Sequence, residues 1–461
     1  MNSSRISFAA LLAVGAALSA QQPEPALTLA QAVQNSLRNY PSIRVSQEQI
    51  NAASAAIKLA RTAYLPRVDA LTQANRATRN NVFGILLPQP QSVIPSMSGP
   101  VIGSNNLGSV FGSAIGGLVT WEPFDFGFRS ANVAIANAAR AQSEAAVKRT
   151  QFEVAVATVD AFVTLVAAQE TVRAAQAGVD RAEVLLKSIS AQVGAELRPG
   201  ADQSRAEAEL AAARTQSIQA EQAVDVSRAT LAQFTGGDPS RLGIANGNFL
   251  ELPPEKAPVP IDTAANPLVV EQSAAVEQAT AQLRALERSY FPKFYLQGAA
   301  YARGSGAETN GDRLGGLNGL APDYQNYALG ITVTFPLLDL PAIRANEAKQ
   351  SALIRSQAAR SEQIAVDLRA QWNRAAAMLN GARRVAANAP IQVSAARTTV
   401  RQATARYQAG LGIIDDVAEA QRLLTQAEID EVLARLGVWR ALLGIATAAG
   451  DIQPFIAEAG Q

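Results

Sequence analysis

The chain has 461 residues, of which 48% are hydrophobic and 5% aromatic, and its formal net charge is +1. It lacks the basic excess with which proteins neutralise phosphates, so nucleic acid is not an expected partner. Cysteine and histidine are both absent, which excludes disulfides, thiolate or imidazole metal ligands, and catalysis by cysteine or histidine. We predict no metal site and no cofactor.

Residues 1–20 have the pattern of a secretory signal peptide. Arg5 supplies a positive charge, residues 8–18 form an apolar core that is too short to span a bilayer, and small residues follow. The chain has no cysteine for N-terminal lipidation, and no later run of about 18 apolar residues predicts a transmembrane helix. An exported chain of this kind is either soluble or a membrane β-barrel.

A helix is predicted to begin after Thr28, which forms a capping box with Gln31. The helical pattern is interrupted at Pro41 and continues to about Tyr64. Pro66 then ends it, because proline disfavours helical backbone in the residue before it.

The next segment contains two predicted strands. Residues 67–76 are predicted to be extended, and residues 117–121 form a second short strand that Pro123 closes. Between them, residues 80–117 are rich in Gly, Ser, Asn and Pro, and we predict a long loop.

Residues 129–193 are predicted to form one helix about 100 Å long, because they contain no proline and a helix rises about 1.5 Å per residue. Apolar residues recur at alternating steps of three and four, which indicates a coiled-coil seam. A turn at residues 194–201 leads to a shorter return helix over residues 202–234. A further helix over residues 267–290 is predicted to stack end to end with it, so that two shorter helices pair with the long one.

The second half of the chain repeats the first, which indicates an internal duplication. Equivalent residues are 226 positions apart before the strands and 214 positions apart after them, as shown by Pro41 with Pro267, Asp125 with Asp339, and Asp202 with Asp416.

We therefore predict two structural repeats of the same kind. The first covers residues 21–260, with a helix, a strand pair at 67–121, a coiled-coil hairpin at 129–235 and a linker. The second covers residues 261–461, with a helix, a strand pair at 293–335, a coiled-coil hairpin at 344–449 and a C-terminal tail.

The strands indicate a membrane location. Residues 329–335 alternate large apolar side chains with Gly and Thr, which gives one apolar and one polar face. Because the helices already use their apolar positions in seams, the apolar strand face is predicted to face lipid. Two repeats supply only four strands, too few to close a barrel, and an open sheet edge is not tolerated in lipid. Several chains must therefore share one barrel.

The second long helical pattern ends at Gly410 and Gly412, where a turn leads into another helix. The first turn of that helix contains Asp415, Asp416 and Glu419. Acidic residues favour a helix N-terminus, so capping alone can explain them. The chain contains a second turn of the same kind, however, and long helices converge on both.

The sequence resembles the TolC family of outer-membrane efflux proteins, or outer membrane factors, over essentially the whole chain after the predicted signal peptide. The resemblance rests on the opening LTLAQAV with its Asn-Tyr-Pro, a duplicated Tyr-x-Pro before a strand, the WEPFDFG and TFPLLDL strand-to-helix junctions, and the turn from Gly410 to Val417. Each motif is weak alone, but their order and duplication are specific.

This resemblance implies a mainly α-helical protein with a membrane β-barrel. Its expected form is a homotrimer with a shared twelve-stranded barrel in the outer membrane and a trimeric α-helical tunnel in the periplasm. The implied function is that of a passive exit channel in a tripartite efflux or type I secretion system, without catalysis. The implied partners are a periplasmic adaptor (membrane fusion) protein, an inner-membrane transporter and outer-membrane lipid.

The resemblance also implies a pore constriction at the inner end of the tunnel. Asp416 and Glu419 match the acidic positions of the family's second hairpin, Tyr407 its tyrosine, and Asp202 the acidic position of the first hairpin. Three copies of Asp416 and Glu419 would form a negative ring that attracts cations.

The hairpin tips around Gly194, Gly410 and Gly412 are the implied adaptor contacts. Gly412 also departs from the family pattern, because the best-studied members carry at this position an arginine that helps to lock the tunnel shut. A salt-bridge lock at this position is therefore not expected, and closure would be looser or rest on other contacts.

Two alternatives stay open at this point. A periplasmic coiled-coil scaffold or adaptor explains the hairpins and the signal, but not two pairs of strands. An enzyme is disfavoured, because Asp415 and Asp416 start a helix where capping explains them and no pocket-forming α/β pattern surrounds them. Drug, metal and protein cargo are all compatible with the sequence.

Overall fold

The structure is a computed structural model that describes residues 26–78, 109–256, 261–308 and 312–460. The predicted signal peptide at residues 1–20 and most of the predicted loop at residues 80–117 lie outside the described residues. The described residues form eight α-helices and one four-stranded antiparallel sheet.

The helices and strands follow one another in the predicted order. The helices are α1 (Leu29–Asn39), α2 (Pro41–Thr62), α3 (Phe128–Gly194), α4 (Gly200–Thr235), α5 (Pro267–Arg288), α6 (Leu340–Gln408), α7 (Ile414–Ala449) and α8 (Gln453–Ala459). The strands are β1 (Arg67–Thr78), β2 (Ser109–Trp121), β3 (Lys293–Ser305) and β4 (Tyr324–Thr334).

The first helices begin where local chemistry predicts. The backbone N–H of Gln31 donates to Oγ1 of Thr28, and the N–H of Thr28 donates to Oε1 of Gln31, which completes the capping box. Pro41 begins α2 and Pro267 begins α5. Proline is tolerated there because the first N–H groups of a helix have no partner within the helix.

Two long helices, α3 with 67 residues and α6 with 69, form the body of the protein. Helices α2, α4 and α5 all pack against α3, and α7 packs against α6. The prediction that α5 stacks end to end with α4 was wrong. The start of α2 meets the end of α4, where Nδ2 of Asn39 donates to the carbonyl oxygen of Thr235, and the start of α5 meets the end of α7, where Nδ2 of Asn266 donates to the carbonyl oxygen of Ala448. The first hairpin is α3 with α4, and the second is α6 with α7. Contacts of α7 with α3 join the two hairpins, and α5 bridges them by packing against both α3 and α6.

The largest apolar cluster lies where α1, α3, α7 and α8 meet. The indole ring of Trp439 lies edge-on to Phe249 and Phe455, with centroid separations of 5.2 and 5.8 Å. Its Nε1–H donates to the carbonyl oxygen of Glu251 at 3.0 Å. The buried indole therefore has a polar partner, and the cluster anchors the linker after α4 and the C-terminal helix to the helical body.

Each of α3 and α7 contains a segment that is long and apolar enough to cross a membrane, by length and composition alone. Neither segment is an unbroken run of apolar residues, because polar or charged side chains interrupt both. In α3, 61% of the segment is buried inside the protein, and Phe162 and Val166 pack in the cluster around Trp439. In α7, Leu436 packs in the same cluster and Val438 packs against α6. The apolar character of both helices therefore serves helix packing.

The four strands form one sheet in the order β1-β2-β3-β4. Because β2 begins at Ser109, the prediction that residues 109–116 belong to a loop was wrong. Small residues suggested a loop, but close packing between strands requires at least one of them. A Cβ atom on Gly116 would lie 2.3 Å from Cβ of Tyr301 and 2.5 Å from the carbonyl oxygen of Ala300, both on β3. Only glycine fits at that position.

Equivalent elements of the two halves begin at constant separations. Helix α5 and strand β3 begin 226 residues after α2 and β1, and α7 begins 214 residues after α4. Because α6 also ends 214 residues after α3, the two hairpin turns have the same length. Helix α6 begins at Leu340, before the predicted position 344, with Pro341 in its first turn. The division into repeats at residues 21–260 and 261–461 stays a prediction.

Candidate functional site

Strand register gives the sheet two chemically different faces. Residues that pair directly in an antiparallel sheet lie on the same face, and successive residues alternate between faces. One face carries large apolar residues on all four strands, namely Val68, Ile115, Val119, Trp121, Phe294, Leu296, Tyr327, Leu329, Ile331 and Val333. On β4, Leu329 is 78% exposed and Ile331 is 74% exposed.

The opposite face of the sheet is polar. It carries Arg67, Asp69, Gln73, Gln297, Tyr301, Asn326 and Thr332. Nε of Arg67 lies 2.9 Å from Oδ2 of Asp69, and the hydroxyl of Thr332 donates to Oε1 of Gln297 at 3.3 Å. In a soluble protein an apolar face rests on a core, but none of the described helices packs across this one. The sheet therefore has one apolar face that the described helices leave uncovered and one polar face, the alternation that is typical of strands in a membrane.

The two hairpin turns, at the opposite end of the long helices from the sheet, have the same backbone form. The N–H groups of Leu197 and Leu411 each donate, at 2.8 Å, to the carbonyl five residues earlier. This closure places one intervening residue in the left-handed region. That residue is Gly410 in the second turn, with φ of 73°, and Glu196 in the first, with φ of 59°.

The predicted adaptor contacts lie at these solvent-facing turns. Gly194 and Gly410 are exposed, and Gly412 is half-buried. Beside them, Leu197 and Leu411 are 73% and 72% exposed. Each tip therefore presents accessible backbone and one apolar side chain, at equivalent positions of the two repeats.

Two of the predicted constriction residues contact each other. Tyr407, at the end of α6, is 2% exposed and packs between the hairpins with Ile189 and Val417. Its hydroxyl donates to Oδ2 of Asp202, in the first turn of α4, at 2.8 Å. Burial, together with the hydrogen bond to Asp202, raises the pKa of Tyr407 to about 12. The phenol is therefore a neutral donor at physiological pH, and it ties the second hairpin to the first.

Arg198 completes this contact, and the sequence interpretation missed it. Its guanidinium carbon lies 4.3 Å from the ring centroid of Tyr407, and its Nη2 donates to the carbonyl oxygen of Tyr407. A positive charge is favourable both over an aromatic face and at a helix C-terminus. Arg198 lies 214 residues before Gly412, so alignment of the two repeats places this arginine on the first hairpin at the position where the second has glycine.

The predicted ring residues Asp416 and Glu419 are exposed, one turn apart on α7, and neither takes part in the hydrogen bond between Tyr407 and Asp202. Oε2 of Glu419 lies 2.7 Å from Nη2 of Arg422. The neighbouring Asp415 pairs instead with Arg205 of α4, at 2.9 Å. Among the described residues, Asp416 forms no ion pair, and no group of three or more carboxylates is placed to hold a metal ion.

A second tie between the hairpins lies farther from the tips. Nη2 of Arg181 on α3 lies 3.0 Å from Oε2 of Glu428 on α7, and it also donates to Oγ1 of Thr425 at 2.8 Å. A Cβ atom on Gly178 would lie 2.9 Å from the same hydroxyl. The absence of a side chain at Gly178 therefore lets α3 and α7 approach closely at this level.

The fold and the chemistry of the sheet together define a TolC-like outer-membrane channel. Comparisons with known proteins agree. The family model for outer membrane efflux proteins matches residues 32–237 and 263–451, and the chain belongs to that family. This confirms the resemblance and the predicted location, with the sheet in the outer membrane and the helical part in the periplasm. No curated relative matches the sequence.

Several solved outer-membrane channels share the fold. CmeC of Campylobacter jejuni is 14% identical, with a TM-score of 0.71 over 98% of this chain and 93% of that one. CusC is 13% identical, with a TM-score of 0.73 over 92% of each chain. MtrE of Neisseria gonorrhoeae, solved in an open state, is 18% identical, with a TM-score of 0.67 over 92% of this chain and 89% of that one. These likenesses show the shared fold, and the family match shows that the chain is an efflux channel of the outer membrane.

Proposed function

We propose that three copies of this protein close one twelve-stranded barrel and extend it as a helical tunnel, which receives cargo from an inner-membrane transporter through a periplasmic adaptor. The observation that carries the proposal is the open sheet. In the described part of the chain, β1 and β4 each pair on one side only. Unpaired backbone groups are not tolerated in lipid, so these edges must pair with those of other copies.

The tips of the hairpins are proposed to close the tunnel at rest. Tyr407, Asp202 and Arg198 hold the two hairpins of one protomer together, and the tips cannot separate unless the hydrogen bond between Tyr407 and Asp202 breaks. A hydrogen bond to a charged group contributes about 1.5–3 kcal/mol, and less where the charge is partly exposed. Opening therefore requires a partner that binds the open arrangement more tightly than the closed one.

The adaptor is proposed to be that partner, and the exposed tips to be its contact. The accessible backbone at Gly194, Gly410 and Gly412, with the exposed side chains of Leu197 and Leu411 beside it, supports this assignment. It offers backbone surface and apolar area at the end that faces the inner membrane. Asp416 and Glu419 are proposed to line the entrance as a negative ring, which favours cations.

The alternative of a periplasmic scaffold or adaptor is not favoured, because it leaves the exposed apolar sheet face unexplained. We also infer no catalysis. The carboxylates of Asp415 and Asp416 lie in the first turn of α7, where the helix dipole favours negative charge, and Asp415 also pairs with Arg205.

The test is the single-channel conductance of the purified full chain in a planar lipid bilayer, at neutral pH with salt gradients, together with its mass in detergent. A trimeric mass and a small, cation-selective conductance would support the proposal. A large, weakly selective conductance would reject the closed tip. A protein that stays monomeric and forms no pore would reject the shared barrel.

A further inference from the structure

The apolar face of the sheet carries one arginine. Strand register places Arg76 of β1 directly opposite Phe111 of β2, and alternation along β2 puts both on the face that carries Ile115 and Trp121. Among the described strand residues, Arg76 is the only charged side chain on that face, and it is exposed. A charge on a lipid-facing surface is costly at the centre of a bilayer but not at its boundary, so the depth of Arg76 decides what it can bind.

Arg76 lies near the end of the sheet that points away from the helices. Strand β1 begins at Arg67, shortly after α2, and β2 ends at Trp121, shortly before α3, so the helices attach at that end of the sheet. The helical part of the protein lies in the periplasm. The opposite end, where Arg76 is found, therefore faces the outside of the cell.

The connection between β3 and β4 marks where the hydrocarbon ends on this face. A Cβ atom on Gly304 would collide with the carbonyl oxygens of Gly319 and Ala321, so the backbone of this connection rests directly on the sheet. Gly304 pairs with Ser113 and shares the face that carries Arg76. Irregular backbone exposed to lipid does not occur within the hydrocarbon region, and Ala321 is exposed. The hydrocarbon therefore ends at or before the level of Ser113 and Gly304.

The length of β2 gives the same boundary. Trp121, at the inner end of the apolar face, and Ser113 are eight residues apart on this strand. At about 3.3 Å per residue and a strand tilt of about 40° they differ in height by about 20 Å, close to the height of the apolar band of membrane barrels. Arg76 lies opposite Phe111, two residues beyond Ser113, and so about 5 Å higher. This height is the headgroup region of the outer leaflet.

The neighbours of Arg76 position its guanidinium group. Nε of Arg76 donates to Oγ of Ser109 at 2.9 Å, and the guanidinium carbon lies 5.0 Å from the ring centroid of Phe111. In the described part of the chain, no carboxylate forms an ion pair with Arg76. The bond to Ser109 uses only Nε, and the Nη groups of an arginine can donate two parallel hydrogen bonds to one phosphate. The site therefore offers a positioned cation to an anionic group in the membrane.

We propose that Arg76, braced on the ring of Phe111, binds a phosphate group of lipid A in the outer leaflet of the outer membrane. Lipid A, the membrane anchor of lipopolysaccharide, carries its phosphates on sugars at the boundary between acyl chains and water, which is the height of Arg76. A membrane lipid is favoured over free phosphate because Arg76 lies on the lipid-facing side of the sheet. Basic side chains at this boundary bind anionic headgroups.

The site does not require the proposed constriction. Pairing of β1 with a strand of another copy would use backbone groups and would leave Arg76 and Phe111 on the outer face, because side chains alternate between the two faces of a sheet. The inference depends on the outer-membrane location and on the orientation of the sheet.

The test is a binding titration of the purified full chain in detergent, followed by native mass spectrometry. The lipids are diphosphorylated lipid A, the same lipid without its phosphates, and phosphatidylglycerol, and inorganic phosphate is added as a competitor. Arg76→Gln removes the proposed contact. Arg67→Gln is the matched control, because Arg67 is an exposed arginine at the other end of the same strand, on the polar face, where it pairs with Asp69.

Arg76→Gln is expected to bind diphosphorylated lipid A about tenfold more weakly than the natural chain, because a charge-assisted pair of hydrogen bonds is lost. Arg67→Gln should bind it as the natural chain does, and lipid without phosphates should bind both variants equally. Equal melting temperatures of the two variants would show that Arg76→Gln is folded.

Two results would overturn the site itself. One is unchanged affinity of Arg76→Gln for diphosphorylated lipid A. The other is an equal loss in Arg67→Gln, which would indicate an effect of net charge alone. Two further results would overturn the choice of ligand: phosphatidylglycerol that binds as tightly and with the same dependence on Arg76, or full competition by inorganic phosphate. Because channel conductance is not the readout, failure here leaves the proposed tunnel untouched.

Discussion

The hydroxyl of Tyr407 donates to Oδ2 of Asp202 at 2.8 Å, across 205 residues of sequence and between the two hairpins. Arg198 covers the same ring and binds the carbonyl of the same residue. The opposing hairpin therefore contacts Tyr407 at its hydroxyl, at the face of its ring and at its backbone carbonyl. The predictions for the tip follow from these three contacts.

Tyr407→Phe removes the hydroxyl and keeps the ring. We expect the closed tip to lose about 1 kcal/mol, because Asp202 is partly exposed and water replaces part of the bond. That loss is roughly a fivefold shift toward the open tip. It should appear as a larger mean single-channel conductance. Tyr327→Phe, at an exposed sheet position, is the matched control and should leave the conductance unchanged. Equal conductance in Tyr407→Phe and the natural protein would show that this hydrogen bond does not hold the tip closed.

The ionisation of Tyr407 gives a pH prediction. Its pKa is raised from 10.0 to about 12, so folding favours the neutral phenol. The contribution to stability is complete below pH 10 and is lost as the pH rises through about 12. When tyrosinate absorbance is measured against pH, the transition at the highest pH should therefore be missing in Tyr407→Phe. If the variant instead lacks a transition near pH 10, the phenol of Tyr407 is not buried.

Arg198→Ala should loosen the tip without disturbing the hairpins. The variant loses a cation over an aromatic ring, which contributes about 0.5–1 kcal/mol at partly exposed sites, and a favourable charge at the end of α6. We expect an increase in conductance smaller than, or comparable to, that of Tyr407→Phe. Arg214→Ala is the control, because Arg214 forms an exposed pair with Glu183. The double variant of Arg198 and Tyr407 should show less than the sum of the two effects, since both act on one ring.

Asp416→Asn with Glu419→Gln should reduce cation selectivity, because it removes two exposed charges from each protomer at the proposed entrance. Reversal-potential measurements under a salt gradient provide the readout. The matched control is Asp225→Asn with Glu221→Gln, which removes the same charges from the exposed surface of α4. If both double variants shift the reversal potential equally, the acidic residues of α7 do not form the ring.

Gly116→Ala should disrupt the sheet, whereas Gly117→Ala should be tolerated. A Cβ at Gly116 would collide with backbone and side-chain atoms of β3, while the nearest neighbour of a Cβ at Gly117 is the carbonyl oxygen of Asp69 at 3.9 Å. Overpacking costs about 1–3 kcal/mol, and more where backbone must move. Thermal unfolding of the purified protein in detergent compares the two. Equal melting temperatures would show that β2 and β3 are less closely packed than the structure indicates.

Much of the fold was predictable because its signals are local. The capping box at Thr28, the prolines that begin α2 and α5, and the alternation along β4 each depend on neighbouring residues. The start of β2 was not predictable in this way. Gly and Ser residues indicate a turn when they are considered alone, and only pairing with β3 shows that Gly116 is small because Tyr301 lies against it.

The residues of the candidate site were likewise only partly predictable from the sequence. The duplication by itself identified Asp202 and Asp416 as equivalent, and composition excluded histidine and cysteine chemistry. Arg198 was detectable only by aligning the first turn with the second, and its contact with Tyr407 depends on how the two hairpins fold together. The sequence by itself thus determined the family, the order of elements and the apolar strand faces, because these are patterns along the chain. Only the tertiary structure decided which tip residues are buried and which are exposed, because burial depends on helices that are far apart in sequence and meet only when the chain is folded.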